Sequence, residues 1–358
     1  MNTSVATQQV QVQAAAERPF CTRRFGLFTL PVSLDLAPHA MDVMIANGLS
    51  ESEARSVLAE SGEYNPSYRE YLNSVGIEVE PILFHDDVDK IVDQMDKFDG
   101  IFLTGGDTIF DIEKFTRDGL DYFRVVMSPE KPYLLKVRAI LEKVKAINVG
   151  GRHFPLFAIC LGYEAILLSE SDFQFPIAHV RQNNVNIPIA FNNTEGRYAH
   201  IFTEDEKEEL STQNLVYFYH DLGFLPQDFY EYPALRDNYI ISATNETDDH
   251  GSEIAMIEHR ELPIYALQFH PEKVVFDNSA AYVTNKCENG KSINSKFIEV
   301  INGEEYRERK AVDSHEEILE QAGFYSVMVG NIGGIENMTF VSRNPLLKML
   351  EKPSSLMG

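Results

Sequence analysis

The chain has 358 residues, with 31 Lys and Arg against 55 Asp and Glu, a formal net charge of −24. That excess of acid argues against binding a phosphate backbone or docking on an anionic membrane, and an acidic ligand would need a local basic pocket. Hydrophobic residues make up 44% of the chain, enough for the core of one large α/β domain with elaborations or of two small ones, and no apolar run reaches membrane-spanning length.

Residues 1–18 are polar and rich in Gln, Ala, Ser and Thr. They lack the apolar centre of a secretory signal and read as a disordered tail, with a faint likeness to a mitochondrial transit peptide in the run Arg18, Arg23, Arg24. Arg24 to Thr29 reads as the first core strand. Residues 33–62 form an acidic, helix-prone insertion. Pro66 to Val75 reads as a short amphipathic helix, because Tyr68, Tyr71, Leu72 and Val75 recur at three- and four-residue spacing. A strand over Ile77 to Phe84 and a helix over Val88 to Phe98 follow. Gly100 to Asp107 is a buried strand running into the Gly105-Gly106 turn. Helices are expected around Ile112 to Val126 and Leu134 to Val149, before the strand Leu156 to Ile159.

The alternation of strand and helix predicts an α/β fold, a flavodoxin-like, doubly wound and mostly parallel sheet. Both Gly105-Gly106 and Cys160 then lie at carboxyl ends of strands, where open sheets bind ligands. Beyond Ser169 shorter β-like runs appear, at Asn184 to Ala190, Leu215 to Tyr219, Tyr239 to Thr244, Glu253 to Glu258 and Pro263 to Gln268. They predict an antiparallel extension over one side of the site. Lys291 to Val300 and Glu304 to Gln321 read as helices, and Phe324 to Val329 with Met338 to Val341 as a closing hairpin.

Two stretches carry chemistry. In the first, Leu156 to Ile159 stops at Cys160, with small residues (Ala158, Gly162) two positions to either side and a helical segment after it. That is the pattern of a nucleophile elbow, which lifts one side chain clear of the sheet at a helix N-terminus, where the dipole favours thiolate. A buried structural cysteine is the plain alternative. In the second, the strand from Pro263 ends in Gln268-Phe269-His270-Pro271-Glu272-Lys273. Glu272 is two residues past His270 and within reach of its Nδ1–H. Three cysteines, Cys21, Cys160 and Cys287, make no disulfide framework, and whether Cys21 and Cys287 pair stays open. The four N-x-S/T sequons, at Asn2, Asn192, Asn245 and Asn337, weigh little in a chain of this length.

Cys160-Leu161-Gly162-Tyr163-Glu164, Gln268-Phe269-His270-Pro271-Glu272-Lys273 and Leu103-Thr104-Gly105-Gly106-Asp107 together resemble the class I glutamine amidotransferase superfamily. Within it they are most similar to the gamma-glutamyl hydrolases (folate polyglutamate hydrolases). Ser67-Tyr68, the strand Phe25 to Thr29 and Tyr219-His220 support the likeness. It implies one domain over 24–345, with the insertion at 33–62 and tails at 1–23 and 346–358. It also implies a hydrolase cleaving γ-glutamyl amides, with Cys160 as nucleophile, His270 as acid and base, and Glu272 orienting the imidazole. The backbone N–H groups of Gly106 and Leu161 would receive the oxyanion. Glu164, where glutaminase domains place Gln, and His220, Tyr68 and Gly105 would contact substrate. Arg181, Arg197, Arg152 and Lys273 are candidates for the basic pocket.

No metal or cofactor is expected. The partner would be a small anionic substrate, a γ-glutamyl peptide or folate polyglutamate, with no nucleic acid, no membrane insertion, and a homodimer left open. The family implies a vacuolar, lysosomal or secreted enzyme, and the lack of a recognisable signal keeps a cytoplasmic or mitochondrial site open. The sequence departs from the family pattern at Ala158 (usually Gly), Thr104 (usually Pro) and Phe269 (usually Trp). Two other readings stand beside the hydrolase: a glutaminase half of an amidotransferase, and a silent scaffold with this fold.

Overall fold

Five strands build the centre of the fold. They are β1 (Arg23–Phe28), β2 (Ile77–Ile82), β3 (Gly100–Leu103), β6 (Leu156–Ile159) and β12 (Ile264–Leu267). The computed structural model describes residues 23–30, 45, 46, 48, 50, 66–128, 131–192, 195–276, 288–302, 324–325 and 341–342. These five strands pair in parallel in the order β2-β1-β3-β6-β12. That is the order of a flavodoxin-like sheet. β3, β6 and β12 are buried at every position, as a parallel sheet covered on both faces requires.

The sheet continues in antiparallel fashion through β11 (Gly251–His259), β10 (Tyr239–Thr247) and β8 (Ala190–Phe191). A second, four-stranded antiparallel sheet has the order β4 (Asp111–Arg117), β5 (Leu120–Val126), β7 (Ile177–Ile187), β9 (Val216–Gly223). The short runs expected to form one extension are thus shared between two sheets. The run from Pro263 belongs to both regimes, parallel to β6 and antiparallel to β11.

One expected helix is absent. Residues 112–126 form the hairpin β4–β5, closed by the two-residue loop Asp118-Gly119 between the paired Arg117 and Leu120. Both loop residues have positive φ, 54° and 81°, the combination that matches the right-handed twist of a hairpin. Five helices matter for the site or its support: α1 (Pro66–Asn73), α2 (Val88–Gln94), α3 (Tyr133–Val149), α4 (Leu161–Glu170) and α5 (Pro271–Phe276). Along α3, Tyr133, Leu134, Val137, Ile140, Leu141 and Val144 are buried, a stripe at helical spacing.

The chain divides into two units, Met1–Ile298 and Glu299–Gly358. In the second, Phe324–Tyr325 pairs antiparallel with Val341–Ser342, one residue past the expected end of the closing hairpin. The tails, most of the insertion at 33–62, the helix expected over Glu304 to Gln321, Cys21 and Cys287 lie outside the described residues. No described helix is long and apolar enough to cross a membrane.

Candidate active site

Cys160 stands between β6 and α4, with φ 51° and ψ −110°. A non-glycine residue held there stores backbone strain of about 1–3 kcal/mol, and such strain gathers at functional turns. The surroundings hold it in place: Cys160 N–H donates to Leu267 O at 2.7 Å, and Glu164 N–H donates to Cys160 O at 2.9 Å. Gly162 is needed because a Cβ there would sit 2.7 Å from Leu103 Cβ and 2.8 Å from Leu103 O. Ala158, by contrast, fits: it is fully buried in register between Leu103 and Ala266.

β12 lies beside β6, with Leu267 opposite Ile159, so His270 emerges next to the elbow. Its N–H donates to Tyr217 O of β9 at 2.8 Å, tying the second sheet to this corner. His270 Nδ1 is 2.8 Å from Glu272 Oε1, at the start of α5, while Nε2 is buried with no hydrogen-bond partner. Gly105 sits between the two stretches. A Cβ on it would lie 3.0 Å from Cys160 Cβ, 3.0 Å from His270 Cε1 and 2.7 Å from the Tyr68 hydroxyl. Only glycine leaves that space open to a substrate. The Gly105 N–H donates to Tyr68 Oη at 3.0 Å, which leaves Gly106 as the next amide in line. Gly106 abuts Leu30 and comes near Leu161.

Behind the elbow is a second polar group that the sequence only half revealed. Glu164 is buried, and Gln268 Nε2 donates to its Oε1 at 3.3 Å. His220, on β9, places Nε2 2.7 Å from Glu253 Oε1, and Asn245 Nδ2 donates to Glu253 Oε2 at 3.1 Å. Gln268 stood in the second motif without a role of its own, and Glu253 escaped the sequence reading because it looks like an interior strand residue whose partner, His220, lies on the other sheet.

A family model for glutamine amidotransferase class-I matches residues 57–289. The chain belongs to that family. Gamma-glutamyl hydrolase B of Dictyostelium discoideum is 27% identical over 209 residues, 58% of this chain and 55% of that protein. Gamma-glutamyl hydrolase 2 of Arabidopsis thaliana is 28% identical over 215 residues, 59% of this chain and 56% of that protein. The chain therefore spans a little over half the length of these two relatives. A solved glutamine amidotransferase of Thermotoga maritima covers 79% of this chain and 97% of its own at 9% identity and a TM-score of 0.37, too loose a likeness to carry an argument.

In this class I amidotransferase domain the electrostatics of the elbow run against a resting thiolate. Burial pushes the Cys160 thiol well up, and Glu164 and Glu272 add to the rise, while Lys273 and the Leu161 N–H oppose it. Desolvation here outweighs the helix N-terminus on which the sequence reading relied. Burial likewise lowers His270, with Glu272 pulling the other way. Both shifts favour the uncharged forms, a thiol at Cys160 and an imidazole at His270. Burial raises Glu164 to about 7, with His220 and Gln268 opposing. The Tyr68 phenol is raised by burial, by Glu272 and by Cys160, which puts it among the same groups.

Of the four basic candidates, Arg181 pairs with Asp249 at 2.9 Å. Arg197 donates to the carbonyls of His259, Glu261 and Leu262. Arg152 lies over the Phe154 ring. Lys273, 4.7 Å above the Tyr219 ring, is the one of the four whose field reaches the thiol. Among the described residues no group of three or more His, Cys, Asp or Glu is arranged to hold a metal ion.

Proposed function

We propose that the chain hydrolyses γ-glutamyl amide bonds through a thioester on Cys160. The observation that carries this reading is the meeting of a strained cysteine at the end of β6 with a carboxylate-held imidazole at the end of β12, around a glycine that keeps the space between them open. Binding of the substrate brings the γ-carbonyl against Sγ. His270 Nε2 takes the thiol proton as the C–S bond forms, and the Nδ1–H stays on Glu272, which fixes the tautomer and stabilises the imidazolium. The carbonyl electrons move onto oxygen, received by the N–H groups of Gly106 and Leu161, each worth about 3–4 kcal/mol when preorganised.

Collapse of this adduct breaks the C–N bond, and His270 returns the proton to the leaving amine. Water then attacks the thioester and gives its proton to His270. The γ-carboxylate leaves, and the thiol is restored. Glu164 accepts a hydrogen bond from the α-nitrogen of the cleaved residue, whether ammonium or amide, with His220, Tyr68 and Gly105 lining its approach. Lys273 supplies the cation that an acidic substrate needs in an acidic protein.

Poly-γ-glutamate, including the tail of a folyl polyglutamate, is the substrate class that the names of the relatives and Glu164 favour. Product analysis with a defined γ-linked oligoglutamate tests the reading. Release of glutamate or shorter γ-linked pieces, with the α-linked isomer untouched, is the expected result. Release of ammonia from glutamine without peptide cleavage would make the domain a glutaminase instead, and inertness towards both would leave a scaffold.

A further inference from the structure

Glu253, on β11, takes no part in the thioester chemistry, yet its surroundings are built around it. It is fully buried, and both carboxylate oxygens are engaged, one by His220 and the other by Asn245. Gly223 of β9 leaves the gap that the carboxylate fills, since a Cβ there would run into Glu253 Oε1. A buried acid costs several kcal/mol unless its partners are well made. The Tyr163 hydroxyl donates to Ile254 O at 2.7 Å, so the first turn of α4, and Glu164 with it, is tied to the residue next to Glu253. The remaining nitrogen of His220, Nδ1, is buried without a hydrogen-bond partner, and the imidazole acts on Glu164 electrostatically.

We propose that Glu253 is a positioning residue for substrate recognition: it engages His220 from behind and so leaves the Glu164 carboxylate free to accept from the α-nitrogen of the cleaved glutamyl residue. This rests on the γ-glutamyl reading above. Glu253 holds His220 through Nε2, and Gln268 donates to only one oxygen of Glu164, so a donor on the substrate can take the other. Without Glu253, His220 turns to Glu164, and the two satisfy each other. The other titratable groups facing the cluster are Cys160, Tyr133 and Tyr163 around Glu164, with His270 and its neighbour Lys273 on the His220 side.

The test compares kcat/KM for a γ-glutamyl anilide and a glutaryl anilide, which lacks the α-nitrogen. In Glu253→Gln the γ-glutamyl to glutaryl ratio falls by about tenfold or more, the worth of roughly one strong hydrogen bond to a charged group, and the loss appears in KM. The acid limb of the γ-glutamyl profile moves to lower pH, because the substitution removes the repulsion of Glu253 at Glu164 and leaves His220 to act on Glu164 alone. Gly223→Ala, which displaces the carboxylate without removing it, lowers the same ratio and serves if the first variant does not fold. An unmoved ratio, or equal losses on both substrates, overturns the role of Glu253 alone. Cleavage of neither anilide by the unmodified chain overturns the hydrolase reading and the role of Glu253 with it.

Discussion

Glu164 is the residue whose energetics are easiest to read. Its carboxyl rises from 4.5 to about 7 on burial, so the native state holds the proton more tightly than the unfolded chain. Below pH 4.5 both states are protonated and burial costs no ionisation. As pH climbs through about 7 the native state must ionise a buried group, and about 3 kcal/mol of stability is lost. Glu164→Gln removes that loss. Urea unfolding is expected to show the variant little different from the parent near pH 4.5 and more stable by about 3 kcal/mol near pH 8. A difference that does not change with pH contradicts the assignment.

Cys160 makes a second prediction at this scale. Because burial keeps the thiol protonated, alkylation of the free enzyme should climb with pH through the ordinary thiol range rather than level off near neutrality. Lys273→Ala should slow it further, by several-fold. A plateau below about pH 7 would mean a resting thiolate–imidazolium pair instead.

At the scale of elements, the elbow depends on the close approach of α4 to β3. Gly162→Ala pushes a methyl into Leu103 backbone and side chain and is expected to cost about 1–3 kcal/mol in thermal or urea unfolding. The β4–β5 hairpin turns on Gly119, at φ 81°. Gly119→Ala should lower stability by about 1 kcal/mol and leave hydrolysis intact, since the change is one of backbone strain far along the chain from the elbow.

This hairpin was misread from sequence for a physical reason. β4 and β5 are mostly half-exposed on both faces and carry Lys114, Arg117, Asp121 and Arg124, so no apolar alternation declares a strand. The turn did: Asp-Gly between two such runs is a strong hairpin signal. The core strands were legible because burial on both faces demands continuous apolar runs, as at Leu156 to Ile159. The start of β7 at Ile177 was not, because it follows directly on the aromatic turn after α4.

For the whole molecule, what the sequence conveyed of the site was the part lying at strand ends. Cys160, His270, Glu272 and Gly105 are each adjacent to a short buried strand, and the parallel order of β3, β6 and β12 brings those ends together. Glu253 was invisible because its meaning depends on which strand of another sheet lies opposite, here β9 with His220. The acidity of the chain, −24 overall, makes Lys273 stand out as a local exception near the thiol. Reversing its sign in Lys273→Glu is expected to raise KM for an oligoglutamate by about tenfold or more and to make the loss smaller at high salt.

Hydrolysis at this site requires a covalent bond between substrate and Cys160, which mass spectrometry of the intact chain would detect. After rapid mixing with a γ-glutamyl anilide and an acid quench, the unmodified protein should gain one acyl group, mapped to the peptide that contains Cys160. Cys160→Ala, folded to the same degree by circular dichroism, should gain none and release no aniline. Turnover by Cys160→Ala, or an acyl group found on any other residue, would contradict the account.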